Sequence, residues 1–252
     1  MKVEIIKCLQ DNYSYLIIDA DNNACVVDPS ESIPIINFIE KNNIKLKFIL
    51  NTHHHYDHIG GNLELKKKYG LKIIGYYEDK NRIDGIDIFL KNNEIWTSGN
   101  FLAKIIHVPG HTSGHICFHF CNDQIIFTGD TLFSLGCGRI FEGTYEEMYN
   151  SLSILKKLPH NTKIYCGHEY TKNNFEFCKS IDVTNKSLKK KEVWINERIK
   201  KGFPTIPVTL EEECNTNIFL RCDDIALKKE LKMENSSEVL IFQKLRNLKD
   251  EF

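Results

Sequence analysis

The sequence predicts an α/β fold in two parts, a sandwich of sheets and helices over residues 1–170 and an all-helical domain over residues 171–252. Before Tyr170, short apolar runs typical of strands alternate with helical patterns, which favours layers of sheet and helix around one core. After Tyr170 the patterns are helical, at 171–181, 187–201 and 236–249. Two capping boxes, Thr144–Glu147 and Thr209–Glu212, mark further helix starts. The change of pattern predicts a domain boundary near residue 170.

The amino-terminal segment is predicted to be a meander of three strands. These strands are residues 3–8, 13–18 and 24–27, with Asp and Asn residues at the turns between them. Residues 32–43 are predicted to be helical, because Pro34 falls in the first turn and three isoleucines point towards the core.

A cluster of metal-binding side chains follows the next predicted strand, residues 46–50. The cluster has the pattern His-x-His-x-Asp-His and contains His53, His54, His55, Asp57 and His58. Neutral imidazole and carboxylate groups are good ligands for divalent transition metals, and a loop at a strand end is held in place by the sheet behind it. A helix over 62–69, ended by Gly70, is expected to follow.

Three later segments each place a histidine or an aspartate just after a predicted strand. They are 101–108 with His111, 124–128 with Asp130, and 163–166 with His168. A glycine precedes each of these residues, which lets the backbone come close to a bound group. The strong candidates are then five histidines and two aspartates, which are too many ligands for one tetrahedral zinc but suit two metals that share a carboxylate.

Composition excludes several classes of protein. The formal net charge of −1 provides no overall field to recruit nucleic acid or an anionic membrane. No apolar run reaches the ~18 residues that suggest a membrane-spanning helix, and the first residues resemble a strand rather than a signal peptide. The nine cysteines are odd in number and form no Cys-x-x-Cys pair, which predicts free thiols in a reducing compartment, the cytoplasm.

The pattern of candidate ligands resembles that of the metallo-β-lactamase superfamily. Further segments narrow the resemblance to one family, glyoxalase II, the hydroxyacylglutathione hydrolases. These segments are Thr52–His58, Gly136–Arg139, Phe141–Thr144, Cys166–Tyr170 and the carboxy-terminal Arg246–Phe252. The likeness covers essentially the whole chain.

This resemblance implies an αββα metallo-β-lactamase sandwich as the catalytic domain, followed by a helical substrate-binding domain. It also implies two divalent metal ions, with zinc the first expectation and iron or manganese as alternatives. One metal is held by His53, His55 and His111, the other by Asp57, His58 and His168, and Asp130 bridges them. Asp57 and Asp130 thereby count as catalytic. A hydroxide between the metals attacks the thioester carbonyl of S-D-lactoylglutathione, which yields glutathione and D-lactate.

The resemblance assigns binding of the glutathione part to Arg139, Tyr170, Arg246 and Lys249. Arg246 and Lys249 are three positions apart, so on a helix they share a face, and two cations there suit a carboxylate. Phe141 stands where many family members have tyrosine, so a hydroxyl contact to the substrate is lost or comes from another group. The expected partner is this small molecule, without nucleic acid or membrane, and the chain is expected to be a monomer or a weak oligomer.

Other polar residues favour structural interpretations. They are His54 in the loop, His115 beside His111, His107, His119 and His160, the thiol of Cys137, and the solvated run Lys189–Lys191. Two rival functions use the same fold. A mononuclear-iron glutathione persulfide dioxygenase needs one metal and lacks a long helical carboxy-terminal domain, and a non-catalytic glutathione- or metal-binding relative should have lost a ligand. The chain keeps the full ligand set and about 80 residues after Tyr170, which argues against both.

Overall fold

A computed structural model describes residues 1–252, the whole of the printed sequence. Its strands, numbered along the chain, are β1 (Lys2–Cys8), β2 (Asn12–Ile18), β3 (Asn23–Val27), β4 (Lys45–Leu50), β5 (Lys72–Tyr76), β6 (Ile86–Leu90), β7 (Ile95–Ser98), β8 (Phe101–His107), β9 (Ile116–Phe120), β10 (Ile125–Gly129), β11 (Leu132–Phe133), β12 (Gly136–Cys137), β13 (Lys163–Cys166) and β14 (Val208–Thr209). Its α-helices are α1 (Ser32–Asn42), α2 (Tyr56–Ile59), α3 (Asn62–Tyr69), α4 (Tyr145–Lys156), α5 (Thr171–Ile181), α6 (Lys186–Lys200), α7 (Leu210–Thr216), α8 (Ile225–Glu230) and α9 (Glu238–Glu251).

The strands and helices predicted above are confirmed, with ends that differ by at most two residues. Both capping boxes form, at Thr144 before α4 and at Thr209 before α7. The sequence patterns did not predict α2, α8, β7 or the two-residue strands β11, β12 and β14. β7 has only two apolar residues, Ile95 and Trp96, and α2 is a single turn inside the histidine cluster with no apolar period of its own.

The chain forms two compact units. The first consists of residues 1–107 and 114–129, and the second of residues 108–113 and 130–252. The boundary predicted near residue 170 divides the chain in another way, by type of secondary structure.

The first unit is built on a sheet with the order β1-β2-β3-β4-β5-β6. β1, β2 and β3 are antiparallel, as a meander requires, whereas β3 to β6 are parallel. α1 and α3 connect parallel neighbours, because such strands need a crossover between them. Adjacent parallel strands end at the same edge of the sheet. Asp28, after β3, therefore lies beside the end of β4, where its N–H donates to the oxygen of Leu50 over 2.9 Å.

Side chains of this sheet alternate between two packed faces. On one face, Leu16 packs with Ile39 of α1 and Leu65 of α3. On the other face, the ring of Tyr15 lies 5.3 Å from that of Phe127 in β10. β10 belongs to the antiparallel run β7-β8-β9-β10, which packs against this second face. β2 is therefore buried along its whole length, as expected for a strand covered on both sides.

The second unit is mainly helical. α4 packs against α9, where the rings of Tyr149 and Phe242 lie 6.1 Å apart. Phe219 continues this aromatic core and lies 5.9 Å from Phe242 and 6.2 Å from Phe177. Two short antiparallel pairs, β11 with β12 and β13 with β14, complete the unit. None of the helices combines the length and apolar character that crossing a lipid bilayer requires.

Candidate active site

The first unit holds the His-x-His-x-Asp-His cluster in the loop after β4. His53 and His58 are fully buried, and their rings lie 4.2 Å apart. The ring of His55 lies 4.7 Å from that of His53. The carboxylate of Asp57 is partly exposed, with Oδ2 3.6 Å from Nε2 of His58. The four predicted ligands of this cluster therefore lie together, in part because α2 returns the chain towards the strand end.

Asp28 orients two of these histidines through one buried carboxylate. Its Oδ2 accepts from Nδ1 of His58 over 3.0 Å and from the hydroxyl of Thr52 over 2.6 Å. Because that hydroxyl donates to Asp28, it accepts from Nδ1 of His53, which lies 3.0 Å away. Both imidazoles thus carry their proton on Nδ1 and keep a lone pair on Nε2, which is the arrangement that metal-bound histidines favour.

Asp28 is a third possible metal ligand beside His53 and His58. One of its carboxylate oxygens lies within 4.8 Å of a ring nitrogen of each histidine. Its oxygens are occupied by the N–H of Thr52 at 2.7 Å, the hydroxyl of Thr52 and Nδ1 of His58. We therefore assign Asp28 to orientation of the ligands rather than to metal binding. The residue has a φ of 47°, a left-handed conformation that costs energy for a side chain other than glycine.

Two neighbours hold the rest of the cluster. Nδ2 of Asn12 donates to Oδ2 of Asp57 over 2.9 Å and to the backbone carbonyl oxygen of Asp57 over 3.0 Å. His115 stacks on His53 with ring centroids 4.7 Å apart. Nδ1 of His54 lies 3.8 Å from the buried carboxylate of Asp79.

The second unit holds the other three predicted ligands, His111, Asp130 and His168. All three are buried, and Oδ2 of Asp130 lies 3.5 Å from Nε2 of His111 and 3.2 Å from Nε2 of His168. Nδ1 of His111 donates to the oxygen of Arg139 over 2.8 Å, since a carbonyl oxygen can only accept. Nε2 of His111 therefore keeps its lone pair and faces the carboxylate.

The donor set fits divalent metal ions. Three imidazoles have Nδ1 engaged by a hydroxyl, a carboxylate or a carbonyl, and two of these direct Nε2 towards an aspartate oxygen. Such outer contacts fix the tautomer and raise the basicity of a ligating imidazole. Nitrogen and oxygen donors of this kind suit zinc, iron and manganese alike.

A cavity of about 550 Å³ opens in the second unit beside His111 and Asp130. Its wall includes all five predicted substrate-binding residues, Arg139, Phe141, Tyr170, Arg246 and Lys249, together with Phe133, Cys137, Asn173 and Asp250. Tyr170 stacks on His168 at 4.7 Å with an angle of 5° between the rings. Phe141 meets His111 edge-on at 5.2 Å, and 62% of its surface is exposed.

The two cations of α9 differ in their surroundings. Arg246 is only 3% exposed; Nη1 donates to the oxygen of Cys137 over 2.9 Å and Nη2 to Asp250 over 2.9 Å. Lys249 is half-buried, and its ammonium group contacts the side chain of Asn173. Burial, and next repulsion by Arg246, lowers the pKa of Lys249 to about 8. Arg246 therefore braces the cavity wall, whereas Lys249 is less deeply buried.

Several residues of the site escaped the sequence patterns. Asp28, Thr52 and Asn12 orient the ligands, and Asn173 and Asp250 engage the cations of the cavity. The only available signal was the position of Asp28 at a strand end, next to a proline. Side-chain hydrogen bonds between segments distant in sequence leave no periodic pattern.

Known proteins resemble this chain over its whole length. A metallo-beta-lactamase superfamily model matches residues 10–168, and a model described as hydroxyacylglutathione hydrolase C-terminus matches residues 169–252. A hydroxyacylglutathione hydrolase from Pelagibacter ubique is 58% identical over 253 residues, with 100% of both chains covered. One from Bradyrhizobium is 42% identical and covers 99% of this chain and 98% of its own. The chain belongs to the hydroxyacylglutathione hydrolase family.

Family membership confirms the resemblance found in the sequence, and with it the metallo-β-lactamase fold followed by a helical carboxy-terminal segment. Known structures agree on the fold. ETHE1 from Myxococcus xanthus superposes with a TM-score of 0.69 at 21% identity, covering 98% of this chain and 91% of that one. The BLEG-1 B3 metallo-beta-lactamase gives 0.68 at 20% identity, with coverages of 87% and 99%. At such identities the likeness concerns the fold alone, so the hydrolase family rests on the closer relatives.

Proposed function

We propose that this chain hydrolyses S-2-hydroxyacylglutathione thioesters, with S-D-lactoylglutathione as the type substrate, to glutathione and the 2-hydroxy acid. The proposal extends the name of the family to the reaction of this chain. One observation carries it: the cavity that contains His111 and Asp130 also contains the cations Arg139 and Lys249. A single cavity therefore offers metal-type ligands for a reacting carbonyl and positive charge for an anionic peptide.

The proposed centre binds two divalent metal ions through seven side chains. They are His53, His55 and His111 for one ion, Asp57, His58 and His168 for the other, and Asp130 for both. The orientation of the imidazoles supports this assignment, because Nδ1 is engaged in His53, His58 and His111. Zinc is the proposed metal. When bound, the two ions supply Lewis acidity towards the thioester carbonyl and a source of hydroxide at neutral pH.

The residues of the chain supply position and charge. Asp28 and Thr52 hold His53 and His58 in one tautomer, so the ligand set is organised before substrate arrives. Tyr170 and Phe141 flank the histidines of the cavity and offer apolar surface next to the thioester. The thiolate of glutathione leaves readily, so the chain needs no strong general acid.

Glutathione carries two carboxylates, and the proposed partners for them are Lys249 and Arg139. Arg139 is largely exposed, with Nε 3.5 Å from Oδ1 of Asp250, an ion pair weak enough to be exchanged for a ligand. Arg246 already binds the oxygen of Cys137 and Asp250, so we assign it mainly to holding the wall of the cavity. The substrate is the only proposed partner, and the proposed location is the cytoplasm.

A proposed domain division accompanies this function. Residues 1–170 form the catalytic domain, and residues 171–252 form the domain that binds glutathione. The match of the two family models to 10–168 and 169–252 supports this division. The compact units divide the chain elsewhere, because the segments that carry His111 and Asp130 associate with the helices.

The proposed reaction is tested by supplying two substrates to the purified protein. With S-D-lactoylglutathione we expect release of one free thiol per acyl group, followed by a thiol-reactive dye, and no uptake of oxygen. With glutathione persulfide we expect no uptake of oxygen. Oxygen consumption with glutathione persulfide, without thiol release from S-D-lactoylglutathione, would favour the dioxygenase. Inactivity in both assays with metals bound would favour a binding protein.

The pKa of Lys249 predicts how substrate binding depends on pH. Because this pKa is lowered to about 8, the ammonium group loses its charge as the pH rises from 7 to 9. A charged hydrogen bond contributes about 1.5–3 kcal/mol, and solvent screening places this one at the lower end. KM for S-D-lactoylglutathione should therefore rise up to about tenfold over this interval, with little change in kcat. In Lys249→Arg the charge persists, so a rise of the same size in that variant would contradict the assignment.

Phe141→Tyr tests the one departure from the family pattern. The ring of Phe141 is exposed on the wall of the cavity, so a tyrosine there adds a hydroxyl without a new burial cost. One neutral hydrogen bond contributes about 0.5–1.5 kcal/mol, and KM should fall roughly two- to tenfold at constant kcat. Tyr170→Phe is the matched control, in which a hydroxyl is removed from the same wall. An unchanged KM in Phe141→Tyr would show that the missing hydroxyl is irrelevant to binding.

A further inference from the structure

A strained turn joins β11 to β12 shortly after Asp130. Leu135 in this turn has a φ of 61°, a left-handed conformation that a branched apolar side chain rarely adopts. Its side chain is completely buried, so the turn is not an exposed loop that can relax into solvent. Such a conformation persists only where neighbouring groups hold it.

The carboxylate of Glu213 in α7 holds this turn directly. Glu213 is completely buried, and its Oε2 accepts from the N–H of Leu135 over 2.7 Å. Its Oε1 accepts from the hydroxyl of Ser134 over 3.3 Å. A buried carboxylate is costly unless it is hydrogen-bonded, and both oxygens of this one accept from groups of the turn.

Two buried amides complete the support. Nδ2 of Asn217 donates to Oε2 of Glu213 and to the oxygen of Gly136, both over 3.0 Å. Nδ2 of Asn174 in α5 donates to the oxygen of Ser134 over 3.1 Å. Polar groups at the turn are thus paired with side chains from the helices rather than with solvent.

The turn connects two parts of the candidate site. Asp130 precedes β11, and Arg139, whose oxygen accepts from Nδ1 of His111, follows β12. The N–H of Gly138 donates to the oxygen of Thr131 over 3.3 Å and closes the base of the hairpin. A side chain on Gly138 would meet the oxygen of Asp130 at 1.9 Å, so the two segments are in close contact. A shift of the turn therefore moves both the carboxylate and the group that orients His111.

We infer that Glu213 is a positioning residue for the metal ligands Asp130 and His111, acting through the strained turn at Leu135. The inference rests on the proposed function in one respect, that Asp130 and His111 bind metal. Burial raises the pKa of Glu213 to about 7, which the ammonium group of Lys191 and the three hydrogen-bond donors oppose. Glu213→Gln removes the charge and leaves one acceptor oxygen for the N–H of Leu135, the amide of Asn217 and the hydroxyl of Ser134.

The experiment compares Glu213→Gln with Asp182→Asn. Asp182 is also a buried carboxylate of the helical region, but it binds Arg221 and Asn185 and has no contact with the turn. Both variants should lower Tm. Only Glu213→Gln should speed amide hydrogen exchange in peptides covering residues 132–140 of the metal-free protein, by about tenfold or more, and weaken zinc binding in a chelator competition by roughly tenfold to a hundredfold.

Turnover supplies the third readout. In zinc-loaded protein, Glu213→Gln should lower kcat for S-D-lactoylglutathione by a larger factor than it raises KM, because Lys249, a proposed partner of the glutathione carboxylates, lies on α9 outside the turn. If Glu213→Gln does not fold, Asn217→Ser tests the same support, since serine keeps a cap oxygen for the N–H of Phe219 but loses the amide donor. Normal exchange and zinc affinity in the folded variant would overturn the inference. If the wild type is inactive but Glu213→Gln still exchanges amide hydrogens faster and binds zinc more weakly, the proposed reaction is refuted and the inference about Glu213 is not.

Discussion

Asp130→Ala is expected to remove both metal ions and to reduce turnover more than any other single substitution in this chain. The reason is that one carboxylate serves both proposed ions and lies within 3.5 Å of the nitrogen atoms of His111 and His168. Loss of an orienting partner alone costs about tenfold to a hundredfold in metal affinity. Loss of a shared ligand should cost more, and kcat should fall by a factor of at least roughly a hundred.

The measurement is metal content per chain after gel filtration, together with kcat for S-D-lactoylglutathione. We expect about two ions in the wild type and fewer than one in Asp130→Ala, with Asp130→Asn similarly affected. Asp182→Asn is the control, because it removes a buried charge whose partners, Arg221 and Asn185, do not line the cavity. Retention of two ions and near-normal turnover in Asp130→Ala would exclude a bridging role.

Asp28→Asn is expected to have the second-largest effect, although Asp28 binds no metal in this account. Its carboxylate orients His58 directly and His53 through the hydroxyl of Thr52, so each proposed ion has one ligand that depends on it. Asparagine tolerates the left-handed conformation at least as well as aspartate. The substitution therefore leaves the backbone in place, removes the charge and replaces one acceptor oxygen with an amide donor.

For Asp28→Asn we predict a loss of zinc affinity of roughly tenfold to a hundredfold, measured by competition with a chelator, and a parallel loss of kcat. Thr52→Val is the matched variant, since it breaks the branch to His53 and leaves that to His58. It should affect one of two zinc-binding steps, whereas Asp28→Asn should affect both. Equal, single-step losses in the two variants would show that Asp28 acts on one histidine only.

The sequence predicted the ligand set because of where the residues stand. The His-x-His-x-Asp-His cluster, His111, Asp130 and His168 all follow runs of branched apolar residues, and such runs mark strand ends that a sheet holds in place. The same periodicity predicted β1 to β4 and the long helices, whose apolar faces form the cores of the two units. Local pattern was sufficient for these strands and helices and for the position of the candidate ligands at strand ends, whereas metal binding by these residues stays a prediction.

The support of the ligands could not be predicted in this way. Asp28 acts on a histidine 30 positions later, and Glu213 acts on a turn 78 positions earlier. Neither contact belongs to a helix or strand period, and each depends on the final arrangement of the chain. The sequence predicted that Arg246 and Lys249 share one face of a helix, but it did not predict their different contacts. Arg246 turns inward to the backbone oxygen of Cys137, whereas Lys249 contacts Asn173.

The central claim is that this chain uses two metal ions to hydrolyse a glutathione thioester. It is tested most directly by adding zinc in measured amounts to metal-free protein and recording thiol release from S-D-lactoylglutathione at each step. We predict that activity rises steeply only as the second equivalent binds and then stays constant. Full activity after one equivalent, or no thiol release with two ions bound, would contradict the claim.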